Sequence, residues 1–227
     1  MIDSKREFWW DEVEKIFLID FNNYKPLEVF IKNNRYYWDI KNKHDSKKAY
    51  YELIVLMRLL GLDERNSILE KLFNWSNNKK IARKSHKIIS KIELQSLAKD
   101  NLFNIGSHTI NHCSLAFMSY KEQLFEMSES KKILENIINK EVAGIAYPYG
   151  KMININKDTK RIAKEASYKF GVTAINSLVF NRSDLFFLPR YSLRSKDIND
   201  FLDKIETTIS PKDLIDKMKI SFLQNHL

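Results

Sequence analysis

Cysteine, proline, glycine and histidine are all scarce in this 227-residue chain, at one, four, five and five residues. The single cysteine, Cys113, excludes an internal disulfide framework and a cysteine-rich zinc knuckle. It reads as a small buried hydrophobe rather than a thiol nucleophile. So few glycines leave little capacity for phosphate-cradling loops, and the chain carries no G-x-G-x-x-G, no Walker A loop and no G-x-S-x-G elbow. No stretch approaches the ~18 apolar residues of a transmembrane helix. The opening Met1-Ile2-Asp3-Ser4-Lys5-Arg6-Glu7 carries acids and lacks the apolar core of a signal peptide. As written, the sequence predicts a cytoplasmic chain, with cell-envelope association if it is truncated at its N-terminus.

Hydrophobic residues make up 44% and aromatics 12%, which suits a globular protein and argues against disorder. The net charge of +9 invites a nucleic-acid reading. Its lysines, however, are spread along every segment, and the densest runs (41–48 and 79–91) are short and interrupted. With no nucleic-acid motif present, the charge is read as a solvated surface and no nucleic-acid partner is expected.

Along the chain, residues 9, 10, 13, 16, 17 and 18 roughly fit a helical apolar stripe, with Ser4 and Glu7 as a capping box. Trp9 and Trp10 read as core packing. The β-branched and aromatic segments 27–31 and 36–40, with Asn33-Asn34 between, predict a β-hairpin. Two helices follow over 46–60 and 63–75, the first capped by Asp45 or Ser46, with Gly61 between them. The polar, basic stretch 76–88 marks the one internal boundary. Residues 1–80 are expected to form an elaboration (helix, hairpin, helix pair) packed on a core of residues 81–227.

From residue 90 the pattern alternates. Ser90 with Glu93 and Ser119 with Glu122 are capping boxes opening helices, and Asn156 caps another. Strands are expected at 102–106, 142–147, 170–175 and 185–188. Ser195 is expected to cap a helix to about Ile205, and Ser210-Pro211 to start a last one. Alternation at βα spacing predicts an α/β fold with a parallel sheet or barrel. His108, Tyr149 and Arg190 each fall just after a strand, at the carboxyl edge where such folds keep their chemistry.

His108 and His112 stand four apart, so on one helical turn two imidazoles would point the same way and could grip one ion. The competing reading is a helix N-terminus capped by Ser107 or Thr109 with histidines merely nearby. A catalytic zinc also needs a third protein ligand and a base. Asp39 and Asp184 are the candidates, neither in a compelling position. In Ala146-Tyr147-Pro148-Tyr149-Gly150, Pro148 fixes φ and Gly150 permits a tight turn, so the Tyr149 N–H would be held rigid, as an oxyanion requires.

Gly106-Ser107-His108-Thr109-x-x-His112 followed by Ala146-Tyr147-Pro148-Tyr149-Gly150 resembles the polysaccharide deacetylases of the NodB-homology group, carbohydrate esterase family four. Phe8-Trp9-Trp10-Asp11-Glu12 is similar to the W-W-D-E segment of one bacterial subgroup, and Leu188-Pro189-Arg190 to its closing motif. The resemblance implies a distorted (β/α)7 barrel and a divalent metal, usually zinc, hydrolysing N- or O-acetyl groups of sugars. It implies that His108 and His112 are the metal-binding histidines, that the Tyr149 N–H helps stabilise the oxyanion, and that Arg190 orients site carboxylates.

The family's opening T-F-D-D-G strand, whose two aspartates are the general base and the third ligand, has no counterpart here. Ala146 stands where the family usually has arginine, and the general-acid histidine of L-x-H is missing, with Arg190 nearest to its place. The resemblance therefore implies a barrel that is incomplete at its N-terminus and impaired as this chain alone. Its open edge is expected to be covered by a homodimer partner or by the missing N-terminal segment. The alternative is a non-catalytic carbohydrate-binding or cell-surface glycan assembly protein with a remnant barrel, using Trp9, Trp10, Tyr36, Tyr37 and Trp38 as stacking surfaces.

Overall fold

A computed structural model describes residues 2–22, 25–192 and 194–208. The helix expected from Ser210-Pro211 lies outside them. The first helix, α1 (Trp9–Glu14), runs on as a π-helical stretch, Lys15–Ile19. Trp9, Val13, Ile16 and Phe17 are buried, whereas Leu18 breaks the expected stripe and is exposed. The Ser4–Glu7 capping box does not form. Phe8 takes the N-cap position, and Glu7 turns away to bind Arg83.

Strands β1 (Leu27–Ile31) and β2 (Asn34–Trp38) form the expected hairpin, in register from Leu27 opposite Trp38 to Ile31 opposite Asn34. Its two turn residues are Lys32 and Asn33, at φ 49° and 64°. Two consecutive positive φ values give the backbone twist that a two-residue hairpin turn needs. Helix α2 (Lys43–Met57) is capped by Asn42, whose side chain accepts from the His44 and Asp45 N–H groups. Asn42 thus takes the capping role expected of Asp45 or Ser46. Ser46 is instead buried, its hydroxyl bonded to the Phe17 carbonyl at 2.7 Å. Helix α3 (Leu62–Ser76) starts at Gly61 and ends on Asn77 in the left-handed region. The buried side chains of α1 to α3 and the hairpin make one hydrophobic core, from Trp9 to Phe73.

Helices α4 (Lys91–Lys99) and α5 (Tyr120–Ile138) open with the two expected capping boxes, Ser90–Glu93 and Ser119–Glu122. Helix α6 (Lys157–Glu165) is capped by Asn156. Strand β3 (Gly144–Ala146) pairs in parallel with β4 (Phe170–Val172), with α6 between them in sequence. Single parallel bridges extend this pair on both sides, Ser107 to Ile145 and Val172 to Leu188. The expected strands at 102–106 and 185–188 are thereby reduced to one bridge each. A second core, from Leu115 to Tyr168, lies among α5, α6 and β3. Helix α7 (Ile198–Thr208) follows, with Asp197 rather than Ser195 accepting the first-turn N–H groups of Asn199 and Asp200.

The architecture is α/β. Among the described residues, the parallel segments run 107, β3, β4, 188 and do not close into a barrel. No described helix is long and apolar enough to cross a membrane.

Candidate metal centre

The segment 108–112 leaves the Ser107 bridge as a loop, not as the helical turn expected from the spacing of its histidines. Thr109 and His112 both adopt positive φ, 67° and 52°. These two reversals of the backbone bring the imidazoles together, with ring centroids 4.7 Å apart and planes at 78°. Thr109 Oγ1 accepts the His112 N–H at 3.2 Å, which closes the loop on itself.

His108 Nδ1 lies 2.5 Å from the Ala146 carbonyl oxygen. A carbonyl can only accept, so Nδ1 carries the proton and Nε2 keeps its lone pair. His112 Nδ1 is buried with no hydrogen-bond partner. The rings of Trp10 and Tyr149 each lie 4.7 Å from the His112 ring. Burial, aided by the neighbouring His108, Arg65 and Arg58, pushes His112 down to about 4. Desolvation by the surrounding atoms also lowers His108, with the positive charge of Arg190 adding to it, although its side chain reaches the surface and solvent screens the effect. Both imidazoles are therefore neutral at neutral pH, the form that binds a metal.

The turn at 146–150 supplies the next side of the site. Tyr149 sits at φ 61° and Gly150 at 59°. A Cβ on Gly150 would come within 2.4 Å of the Ala174 backbone nitrogen. Gly150→Ala is therefore expected to destabilise the chain by at least about 1–2 kcal/mol from the left-handed backbone alone, read as a lower urea midpoint. An unchanged midpoint would mean that the turn relaxes freely. The buried Tyr149 hydroxyl and the Trp9 indole nitrogen both lack a geometrically sound partner. Arg58 stacks on the Tyr149 ring, 5.0 Å from its centroid. Arg190 is exposed, and its Nε donates to the Thr173 carbonyl at 2.6 Å.

Neither carboxylate considered from sequence joins the histidines. Asp39 pairs with Lys41 and Asp184 with Lys160. Among the described residues, the one trio of ligating atoms within 4.8 Å of one another is Asp11, Glu14 and His86, which includes neither site histidine. There Glu14 is already bonded to the Arg83 guanidinium at 3.0 Å. The paired imidazoles fit two positions of a metal centre, and among the described residues neither belongs to a trio of ligating atoms within 4.8 Å of one another. Trp9 and Trp38 are 6% and 7% exposed, which removes both from any sugar-stacking surface.

Two residues that sequence reasoning missed support the loop. Glu126 on α5 accepts the Ile110 and Asn111 N–H groups and the Asn111 side-chain amide, at 2.9, 2.9 and 2.7 Å. Arg65 on α3 donates to the Asn111 carbonyl at 2.7 Å and to that of His112 at 3.4 Å. Both side chains sit on otherwise core-facing stripes of their helices, which is the signal that could have found them.

Residues 68–171 match the family model "Polysaccharide deacetylase". The chain is 32% identical over 95 residues to YxkH of Bacillus subtilis (strain 168), a protein named for the same family; the match covers 42% of this chain and 32% of that one. It is 31% identical over 112 residues to the poly-beta-1,6-N-acetyl-D-glucosamine N-deacetylase of Staphylococcus aureus (strain MRSA252), covering 45% of this chain and 37% of the relative. The chain thus spans about a third of the length of these curated relatives. Among solved structures, the Streptococcus pyogenes deacetylase PplD in complex with acetate aligns with TM-score 0.48 and 27% identity, over 53% of this chain and 52% of that chain. Residues 68–171, which hold both histidines and the 146–150 turn, are thus the part of the chain that resembles the polysaccharide deacetylases.

Proposed function

We propose that this chain belongs to a metal-dependent hydrolase that removes N- or O-linked acetyl groups from a carbohydrate or polysaccharide. His108 and His112 are two of the protein ligands of a divalent ion, and zinc suits their imidazole donors. The observation that carries this reading is the paired arrangement of the two rings, 4.7 Å apart, with the His108 proton fixed on Nδ1 by Ala146. Such a backbone partner on the far nitrogen is the usual support of a metal-bound histidine. An ion held there supplies Lewis acidity toward an acetyl carbonyl.

The chain's own groups take the remaining roles. The N–H of Tyr149, in a turn stiffened by Pro148, stabilises charge developing on the acetyl oxygen. Arg190, anchored on the Thr173 carbonyl, orients carboxylates at the site. Among the described residues, neither histidine belongs to a trio of close ligating groups, which supports reading the chain alone as impaired. The parallel segments are part of a distorted (β/α)7 barrel, with residues 1–80 as an elaboration packed on it. A second copy or a further segment covers its open edge.

Zinc titration by calorimetry, beside His108→Ala, tests the site. Affinity is expected to fall by more than about 100-fold in the variant, beyond the loss typical of residues that only support a ligand. Fused to a strand that carries two aspartates, the chain should release acetate from an N-acetylated polysaccharide, and chelation should stop it. Acetate release that survives His108→Ala would overturn the assignment.

A further inference from the structure

We infer that Arg65 and Glu126 are positioning residues that together hold the strained backbone of the His108–His112 loop. This rests on reading the two histidines as metal ligands. Thr109 and His112 occupy the left-handed region, at φ 67° and 52°. A β-branched threonine there is an outlier, and such strain persists only where the surroundings over-determine it.

The surroundings here are two buried charges that do not pair with each other. Glu126 and Arg65 are 3% and 2% exposed. The Glu126 carboxylate takes N–H groups from residues 110 and 111, and the Arg65 guanidinium takes carbonyls from residues 111 and 112. Each charge is compensated by peptide dipoles of the same short segment. A buried charge that loses its partners is costly, so each resists any movement of the loop away from it. Ser130, one turn beyond Glu126 on α5, adds a hydroxyl contact to Ser107 at 2.8 Å.

The two residues come from different parts of the chain. Glu126 lies inside the segment that matches the family, and Arg65 lies three residues before it, on α3 of the first core. The portion outside the matched segment therefore helps to set the geometry of the histidine pair.

The test reads the loop without metal and without activity. The His112 ring is packed on the rings of Trp10, His108 and Tyr149, each at 4.7 Å, so its ring protons carry strong ring-current shifts in the NMR spectrum of the metal-free chain. Glu126→Gln and Arg65→Met, shown to be folded by circular dichroism, are expected to move these resonances toward those of free histidine. They should also weaken zinc binding by about 10- to 100-fold where the parent chain binds it. A general loss of stability would not move the resonances of the folded population. Arg65→Lys keeps the charge but lacks the fork that spans two carbonyls. It is expected to move the resonances less than Arg65→Met, and it carries the test if the methionine variant does not fold. Unmoved His112 resonances in the folded variants would overturn the inference. If the parent chain binds no zinc, the metal reading fails, and the resonances still decide whether the loop is held this way.

Discussion

Arg83→Met is expected to lower the stability of the chain by about 3–5 kcal/mol, the usual cost of stranding one member of a buried ion pair. Glu7 has a side chain only 1% exposed, and its carboxylate receives Arg83 Nε and Nη2 at 2.7–3.0 Å. The same guanidinium also bonds Glu14 and the Asp11 carbonyl. One side chain thus ties three points of the N-terminal segment to the strip that precedes α4. Burial works to raise Glu7, yet the Arg83 bonds together hold it below the usual carboxylate range. Urea unfolding of the variant checks the magnitude. Adding Glu7→Gln should recover part of the loss, because it removes the stranded charge. A loss under about 1 kcal/mol would mean that water reaches Glu7 as soon as the arginine is gone.

The second large effect is on pH dependence. In the metal-free chain, His112 is held at about 4 against an ordinary 6.5, a difference on the order of 3 kcal/mol. Its folded value is the lower one, so the unfolded chain binds the extra proton between the two, and stability rises with pH there. The contribution of the neutral ring is fully present above about pH 6.5 and is lost as pH falls toward 4. His108, lowered too but exposed and therefore screened by solvent, acts weakly in the same direction. The urea midpoint should therefore drop between pH 7 and pH 4, and His112→Gln should flatten that drop. An equally steep dependence in the variant would assign the effect to other groups.

Local chemistry was legible in the sequence wherever it was self-contained. The boxes at Ser90 and Ser119 formed because their partners lie three residues away and need nothing from the rest of the fold. Ser4 with Glu7 has the same pattern, yet it failed because Arg83, 76 residues away, offers the carboxylate a stronger, doubly bonded partner. The approach of His108 and His112 was foreseen, but its means was not. Spacing points to a helical turn, whereas the loop reverses twice through positive φ, held by its own Thr109 hydroxyl and by hydrogen bonds with distant Arg65 and Glu126 that the spacing does not encode. Strands at 102–106 and 185–188 were overestimated, since strand length depends on neighbours that a single segment does not encode.

Cys113 gives the chain a built-in reporter. It is the sole cysteine, fully buried at the end of the histidine loop, with Arg65 Nη2 3.5 Å from its sulfur. Burial raises its thiol, so it is unreactive while the loop is closed. Labelling by a thiol reagent under native conditions, in excess of that set by global unfolding, therefore counts local openings around Cys113, with no second cysteine to subtract. The rate of that single modification becomes a clock for how often the end of the histidine loop opens.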